Sequence, residues 1–204
     1  MRRKDQARRR AQLVAAARDV LLERGALGLR VKDVAERAGL SSSAALYYYP
    51  DFEELLLEVA TDAMSRYAER RADAIRGIGD PVEQLREAVR LGVPAGPDDE
   101  QSRLLYELDA MTGSSRLFAT LSVSFFDRQT MLYERVIERG AESGAFELSS
   151  DPVTIARALV ALEDGLGLQV VLGHPGIDAQ RAERILLAAA SAAVGVELLS
   201  PSRV

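Results

Sequence analysis

The chain has 204 residues, of which 26 are Lys or Arg and 31 are Asp or Glu, so its net charge is −5. It contains no Cys, which excludes disulfides and cysteine-based metal sites. Its longest apolar run, residues 188–196, is interrupted by Ser191 and Gly195 and is far shorter than the ~18 residues of a membrane span. No secretory signal is recognised at the N-terminus, so we expect a soluble cytoplasmic protein.

The charge is unevenly distributed along the chain. Residues 1–49 hold eleven basic and five acidic residues, which leaves that segment at +6 and the remainder at −11. A basic segment on an acidic body is typical of a nucleic-acid-binding head joined to a second module. A solvated basic tail has the same composition and is the alternative.

The first helix is predicted from about Asp5 to Arg24, because Leu13, Ala17 and Leu21 recur on one face and Gly25 can end it. Its N-terminal cations are candidates for an arm that contacts a minor groove or the DNA backbone. They are Arg2, Arg3, Lys4, Arg8, Arg9 and Arg10. For residues 2–4 a basic tail without a partner is the alternative.

Two short helices and a tight turn are predicted next. Apolar residues recur at helical spacing from Val31 to Ala38, and Gly39 follows, where a positive φ can end a helix. Ser41 is suited to cap the second helix because its hydroxyl can accept a backbone N–H, and Pro50 ends that helix. This is the helix-turn-helix pattern, whose second helix enters the DNA major groove.

The composition of the second of these two short helices favours DNA binding over a helix-turn-helix corner with a purely structural role. Tyr47, Tyr48 and Tyr49 are consecutive, so they point about 100° apart and cannot all face a core. Ser42 and Ser43 are small polar residues at its N-terminal end, where they suit close approach to base edges or phosphates.

Six more helices are predicted after Pro50. Their boundaries are marked by turn and capping residues: Asp51, Gly77–Gly79, Asp80–Pro81, Pro94–Pro97, Gly113, Gly144, Asp151–Pro152, Gly173–Gly176 and Asp178. The last helix is predicted to end near Leu199. No segment alternates with period two for long enough to be a strand, so the fold class is all-α: a three-helix head, residues 1–50, on a six-helix body, residues 51–204.

These segments resemble bacterial transcriptional regulators of the tetracycline-repressor (TetR) family. The matching segments are Glu23–Gly25, Val31–Ser41, Tyr49–Pro50 and Glu53–Leu56, and the spacing from Gly39 to Pro50 matches without a gap. The segment Ala161–Gln169 is similar to the body of the choline-responsive branch of that family.

The chain departs from the family pattern beside Pro50. The family usually has Leu-Tyr-x-His-Phe before the proline, where this chain has Ala45–Tyr49. A phosphate-binding lysine common after the proline is replaced by Phe52. The set of contacts to the DNA backbone is therefore expected to differ from that of the family.

The resemblance implies a nine-helix TetR-like architecture and a ligand-responsive regulator. Such a protein is expected to be a repressor that binds a palindromic double-stranded operator as a homodimer and is released by a small lipophilic effector. It implies no catalytic activity, no cofactor and no metal. The family pattern places on the DNA side Lys32, Ser42, Ser43, Ala44, Leu46, Tyr47 and Tyr48. It places Leu40, Ala45 and Tyr49 inward, and for Leu46 packing on a neighbouring helix is an equal alternative.

Two further sets of residues are predicted in the body. The candidate wall of an effector pocket comprises Tyr106, Glu107, Met111, Phe118, Phe125, Phe126 and Tyr133. Each is also explained as ordinary core. The candidate dimer interface comprises Ala156, Leu159, Val160, Leu166, Ile185, Ala189, Ala192 and Val196. An internal helical hairpin is the alternative for that set.

Two other classes of protein compete with a DNA-binding regulator. An enzyme is disfavoured because the chain has one His, in the turn at His174, and shows no carboxylate–histidine motif or phosphate loop. A protein-binding adaptor is disfavoured by the basic charge of residues 1–49.

The fourth helix, residues 51–76, is predicted to be the lever that transmits motion from the effector site in the body to the DNA-binding head.

Overall fold

A computed structural model describes residues 2–113 and 115–199. Over these ranges the secondary structure consists of nine α-helices and one 3₁₀ helix, Ala26–Gly28, without a strand, which confirms the predicted all-α class. The α-helices are α1 (Arg2–Arg24), α2 (Val31–Arg37), α3 (Ser42–Tyr48), α4 (Phe52–Arg76), α5 (Pro81–Gly92), α6 (Glu100–Asp109), α7 (Arg116–Glu142), α8 (Pro152–Val171) and α9 (Ala179–Val194). None of these helices is both long and apolar enough to cross a bilayer. The side chains of Arg2, Arg3 and Lys4, which belong to the predicted arm, lie outside the described residues.

Aspartate side chains cap several of the helices, as the sequence predicts. The side chain of Asp80 accepts the backbone N–H of Val82 at 3.0 Å, and that of Asp151 accepts the backbone N–H of Thr154 at 3.0 Å. Asp178 caps α9 in the same way, with its carboxylate 2.7 Å from the Arg181 nitrogen. Each bond satisfies a backbone donor that has no partner inside its helix.

The end of α9 is five residues earlier than predicted. Gly195 adopts a left-handed φ of 70° and closes the helix after Val194. The backbone N–H groups of Glu147 and Ser149 then donate to the carbonyls of Val194 and Ala193. A Cβ at position 195 would lie 2.8 Å from the Glu147 carbonyl oxygen, so this connection requires glycine.

The chain divides into two compact units. The first contains residues up to Arg66 together with Arg103–Ser122, and the second contains Tyr67–Ser102 and Val123 onward. The first unit therefore extends past residue 50, because Leu55 and Val59 of α4 and Phe118 of α7 are buried in its apolar cluster with α1. The core of the second unit is formed mainly by α5, α7, α8 and α9.

A buried ion pair lies within the second unit. Arg71 of α4 is 0% exposed, and its two terminal nitrogens lie 2.7 and 2.9 Å from the two carboxylate oxygens of Glu163 on α8. The same guanidinium donates to the Gln129 side chain and to the Ala88 carbonyl, each at 2.7 Å. Its centre lies 5.3 Å from the centre of the Tyr133 ring. One cation thus bonds groups on α5, α7 and α8 from its position on α4.

The pKa values in this cluster show how the charges are balanced. Burial lowers the pKa of the Arg71 guanidinium, but the Glu163 carboxylate, together with Tyr67 and Tyr133, outweighs burial and holds the pKa above its ordinary value. Burial raises the pKa of Tyr133 well above its ordinary value, and the Glu163 carboxylate, which accepts its hydroxyl, raises it further. Arg71 therefore stays charged and Tyr133 stays neutral at physiological pH.

Gly92, the last residue of α5, provides the space for this pair. A Cβ built at position 92 would lie 2.0 Å from a carboxylate oxygen of Glu163 and 2.7 Å from a terminal nitrogen of Arg71. Both atoms are held by short bonds to each other, so neither can move aside without leaving a buried charge unpaired.

Gly92→Ala is expected to lower the free energy of unfolding by about 3 kcal/mol, because it forces a buried ion pair apart. Gly77→Ala is the matched control, since a Cβ at that position meets nothing within 4 Å and its φ is not positive. Urea denaturation of both variants measures the difference. Equal stability of the two would show that the core around Glu163 repacks freely.

Candidate nucleic-acid interface

The turn between α2 and α3 is built by local backbone bonds. Gly39 has a φ of 66°, and the next residue, Leu40, donates its N–H to the carbonyl of Ala35 at 2.8 Å. The Ser41 hydroxyl then accepts the N–H of Ala44 at 3.1 Å and caps α3. The predicted roles of Gly39 and Ser41 follow from these bonds.

The residues of α3 separate into a buried and an exposed side. Ala45 and Tyr49 are buried, and Leu40 is half-buried, as the family pattern implies. Leu46 and Tyr47 are 41% and 76% exposed. The other members of the predicted DNA face are the exposed Ser42 and Ser43 and the half-buried Ala44 and Tyr48. Leu46 therefore presents much of its side chain to solvent, although it also lines a small crevice with Tyr49 and Phe52.

Tyr49 anchors the C-terminal end of α3. Its hydroxyl donates to a carboxylate oxygen of Glu58 on α4 at 2.8 Å, and the Arg10 guanidinium of α1 lies 4.0 Å above its ring. Arg10 also bonds Glu58 at 2.8 Å and the Tyr48 carbonyl at 3.2 Å. Burial, followed by the bond to Glu58, raises the pKa of the Tyr49 hydroxyl above its ordinary value, so it remains a donor. Side chains of α1 and α4 thus hold the C-terminal end of α3 in place.

Several cations of the basic segment are paired within the protein. Arg10 is paired with Glu54 and Glu58, Arg24 bonds Asp33 at 2.7 Å, and Arg37 pairs with Glu23. Carboxylates therefore neutralise part of the excess charge expected from the sequence. Of the predicted arm, Arg10 is held by its contacts with Tyr48 and Tyr49, while Arg8 bonds Asp5 at 2.7 Å and Arg9 bonds Gln12 at 3.1 Å.

Two cations next to the turn have no ion pair among the described residues. Lys32 is exposed in the first turn of α2, as predicted, where the N-terminal end of the helix attracts anions. Arg30 is the exposed N-cap of the same helix and was not predicted from the sequence. The sequence feature that could have identified Arg30 is its position at a predicted helix start, two residues before Lys32.

The residues of the predicted effector wall belong to different units. Tyr106, Glu107, Met111 and Phe118 lie in the first, and Phe125, Phe126 and Tyr133 lie in the second. Glu107, Phe118 and Tyr133 each have a structural role. Glu107 accepts the Ala26 N–H at 2.7 Å, Phe118 is buried in the core of the first unit, and Tyr133 belongs to the buried ion cluster. These three side chains support core packing, which was the alternative.

A cavity of about 480 Å³ opens within the second unit, and none of the seven predicted residues lines it. It lies between α4, α5 and α7. Its lining residues are Ala68, Glu69, Ala72, Ile75, Arg76, Gln84, Arg128, Gln129, Met131, Leu132, Arg135, Val136 and Arg139. The cavity was not predicted from the sequence because its walls combine aliphatic residues with arginine, whereas most residues of the predicted effector wall are aromatic.

The predicted dimer residues on α8 face inward. Ala156, Leu159, Val160 and Leu166 are all buried in the core of the second unit, so they have almost no surface to offer a partner. On α9, Ile185 and Ala189 are half-buried and Ala192 is exposed, and Val196, which follows the helix, is half-buried. The apolar surface that α8 exposes is a different stripe, formed by Ala158, Ala161, Gly165, Leu168 and Leu172.

Comparison with known proteins gives matches over both units. The family model described as "Bacterial regulatory proteins, tetR family" matches residues 13–59, and that of the "BetI-type transcriptional repressor, C-terminal" matches residues 81–195. The HTH-type transcriptional regulator PksA of Bacillus subtilis is 28% identical over 187 residues, which cover 90% of this chain and 88% of PksA.

Solved structures give the same result for the fold. A TetR-family transcriptional regulator of Rhodococcus sp. superposes with a TM-score of 0.79 at 25% identity, covering 91% of this chain and 98% of the other. A transcriptional regulator of Saccharomonospora viridis in complex with choline superposes with a TM-score of 0.80 at 24% identity, covering 88% and 94% of the two chains.

Tyr49→Phe is expected to lower the free energy of unfolding by about 1 kcal/mol, because it removes the hydroxyl that bonds Glu58. The control is Tyr47→Phe. Tyr47 is mostly exposed, so removal of its hydroxyl should leave the free energy of unfolding unchanged. Chemical denaturation monitored by circular dichroism measures both. An unchanged midpoint for Tyr49→Phe would mean that the hydroxyl does not anchor α3.

Proposed function

The chain belongs to the TetR family of bacterial transcriptional regulators, and on that premise we propose that it is a repressor that binds a palindromic operator as a homodimer and is released by a small-molecule effector. The observation that carries the proposal is the exposed face of α3 beside the unpaired Lys32 and Arg30. It acts where bacterial DNA lies, in the cytoplasm.

The exposed side chains of α3 suit base and phosphate contacts. The Ser42 and Ser43 hydroxyls can each donate to or accept from a base edge, and Leu46 can contact a thymine methyl group. The hydroxyls of Tyr47 and Tyr48 can donate to phosphate oxygens. Lys32 and Arg30 supply positive charge at the start of α2, where the free N–H groups of the helix also point. We add Arg30 to the seven DNA-contacting residues expected from the sequence.

For the homodimer, we propose a two-fold interface formed by the exposed stripe of α8 with Ala188 and Ala192 of α9. The α8 stripe follows heptad spacing, with small residues in the middle and Leu172, 74% exposed, at its end. Small residues allow helices to approach closely. Two-fold symmetry would present two copies of α3 to successive major grooves, ~34–36 Å apart.

For the release mechanism, we propose that α4 transmits the effector signal. This helix runs from Phe52, within the first unit, to Arg76, within the second. An effector can shift DNA affinity only by its differential affinity for two states, typically ~1–3 kcal/mol. We propose no catalytic activity, since the families and relatives that this chain matches are transcriptional regulators.

Selection of bound sequences from a random DNA pool tests the function directly. We expect a palindrome, with an affinity that falls steeply with salt as phosphate contacts are lost. Binding that is salt-independent, or no enrichment of any sequence, would favour a protein-binding adaptor or a ligand-binding enzyme instead.

Ser43→Ala and Lys32→Ala are expected to have different effects on the selected sequence. Ser43→Ala should reduce the binding free-energy difference between bases at one position of each half-site by about 1–3 kcal/mol, because it removes a base-edge contact. Lys32→Ala should weaken binding to all sequences equally and reduce the salt dependence. Electrophoretic mobility shifts on the palindrome and its single-base variants measure both. Uniform losses for both variants would show that Ser43 does not read bases.

Leu168→Glu is expected to convert the dimer to a monomer at micromolar concentration, because it places a charge in the middle of the proposed α8 interface. Leu117→Glu, at an exposed leucine of α7, is the control and should remain dimeric. Light scattering gives the mass of each. A dimeric Leu168→Glu variant would place the interface elsewhere.

A further inference from the structure

The cavity between α4, α5 and α7 is positively charged, whereas the chain after residue 49 is acidic. Four arginines and one glutamate line it, and of the four only Arg76 has an ion pair among the described residues, with Asp73 at 2.6 Å. The three unpaired arginines outnumber the glutamate, although residues 50–204 carry a net charge of −11. Such a local reversal of sign raises the concentration of anions at the cavity.

The arginines on α7 are spaced to face the cavity together. Arg128, Arg135 and Arg139 fall at i, i+7 and i+11 of one helix, and all three line the cavity. None of them makes an ion pair with a residue that the structure describes. Arg135 and Arg139 are also one turn apart, where like charges repel each other. An anionic ligand would relieve that repulsion.

Arg139 is held in place by a short chain of hydrogen bonds. Its guanidinium donates to the side-chain oxygen of Gln84 at 2.6 Å, and the Gln84 amide donates to the Ile75 carbonyl at 2.7 Å. Gln84 itself is buried. Because an arginine has five N–H donors, Arg139 retains donors for a ligand while its orientation is fixed.

The floor of the cavity is apolar. Ala72 and Ile75 of α4 lie opposite Leu132 and Val136 of α7, and Met131, 45% exposed, lies at its rim. A volume of about 480 Å³ is within the range of small-molecule sites. An apolar floor beside fixed guanidinium groups fits a molecule with an apolar chain and an oxyanion head group.

We propose that this cavity is the effector site and that its ligand is an amphipathic organic anion, with a carboxylate or phosphate head bound by Arg135 and Arg139. The proposal rests on the proposed function, because it names the effector class of that regulator. A cationic effector is disfavoured by the same charges. In addition, the aromatic faces of Tyr67 and Tyr133 are already occupied by the chain's own cation, since the Arg71 guanidinium lies 5.4 and 5.3 Å from their centres.

Calorimetric titration of the full-length protein tests the ligand class. The probes are dodecanoate and dodecyl phosphate, with dodecyltrimethylammonium as the control of equal chain length and opposite charge. We expect an anionic probe to bind at least tenfold more tightly than the cation, and octanoate to bind more weakly than dodecanoate, by roughly fourfold per methylene that leaves the cavity. Equal affinity of cation and anions, or saturable binding of the cation alone, would overturn the proposal.

Substitutions locate the binding site. Arg135→Gln should weaken binding of the anionic probe about tenfold, because it removes one charge-assisted bond. Arg116→Gln, at another exposed α7 arginine outside the cavity, should leave it unchanged. Met131→Glu should also weaken binding about tenfold, whereas Val123→Glu should not. Affinity that is unchanged by both cavity variants would place the anion elsewhere and overturn the assignment.

The effect on DNA separates this proposal from the proposed function. Saturating anionic probe should lower operator affinity of the wild type by 5–150-fold, and the Arg135→Gln variant should need proportionally more probe. If the protein binds no operator, the proposed function fails, but calorimetry still shows whether the anionic probe binds in the cavity. Probe binding in the cavity that leaves operator affinity unchanged would overturn its assignment as the effector site.

Discussion

The second unit depends on one buried ion pair. Arg71 extends from α4 into the core, where it meets Glu163 of α8, the Gln129 side chain of α7 and a carbonyl of α5. Hydrophobic contacts allow helices to slide and repack, but a buried charge that loses its partner is strongly destabilising. The pair therefore specifies one register among four helices. Gly92 completes the arrangement, because only a residue without a side chain leaves room for the carboxylate.

The position of the exposed face of α3 depends on a second, smaller cluster of charged and aromatic side chains. Arg10 of α1, Glu58 of α4 and Tyr49, which follows α3, each contact the other two. The recognition helix has seven residues, of which Ala45 is the buried one. The residue that follows the helix, Tyr49, adds to its anchoring, because its hydroxyl and its ring are both engaged. The departure from the usual family sequence before Pro50 keeps an aromatic ring at this buried position, and the tyrosine that stands in place of the usual phenylalanine adds the hydroxyl that bonds Glu58.

The sequence predicted local features well and the partners of buried groups poorly. Caps such as Asp80 and Asp178, and the turn at Gly39, depend on residues near them in sequence, so their patterns are readable directly. The inward residues of α8 were misassigned because that helix is apolar on both sides, and periodicity alone does not say which side meets its own core. The ion pair of Arg71 and Glu163 joins residues 92 positions apart. Its two members look like ordinary surface charges in the sequence, and the cavity arginines were missed for the same reason.

Two helices besides α4 continue from one unit into the other. The chain passes from one unit to the other at three places, after Arg66, Ser102 and Ser122, and each crossing lies inside a helix, in α4, α6 and α7 respectively. On α6, just beyond its crossing, Arg103 donates to the Leu22 carbonyl at 3.1 Å and Glu107 accepts the Ala26 N–H. Those two bonds hold the end of α1 and the connection that leads into α2. The segment that leads into the helix-turn-helix is therefore bonded to a helix that continues from the second unit into the first.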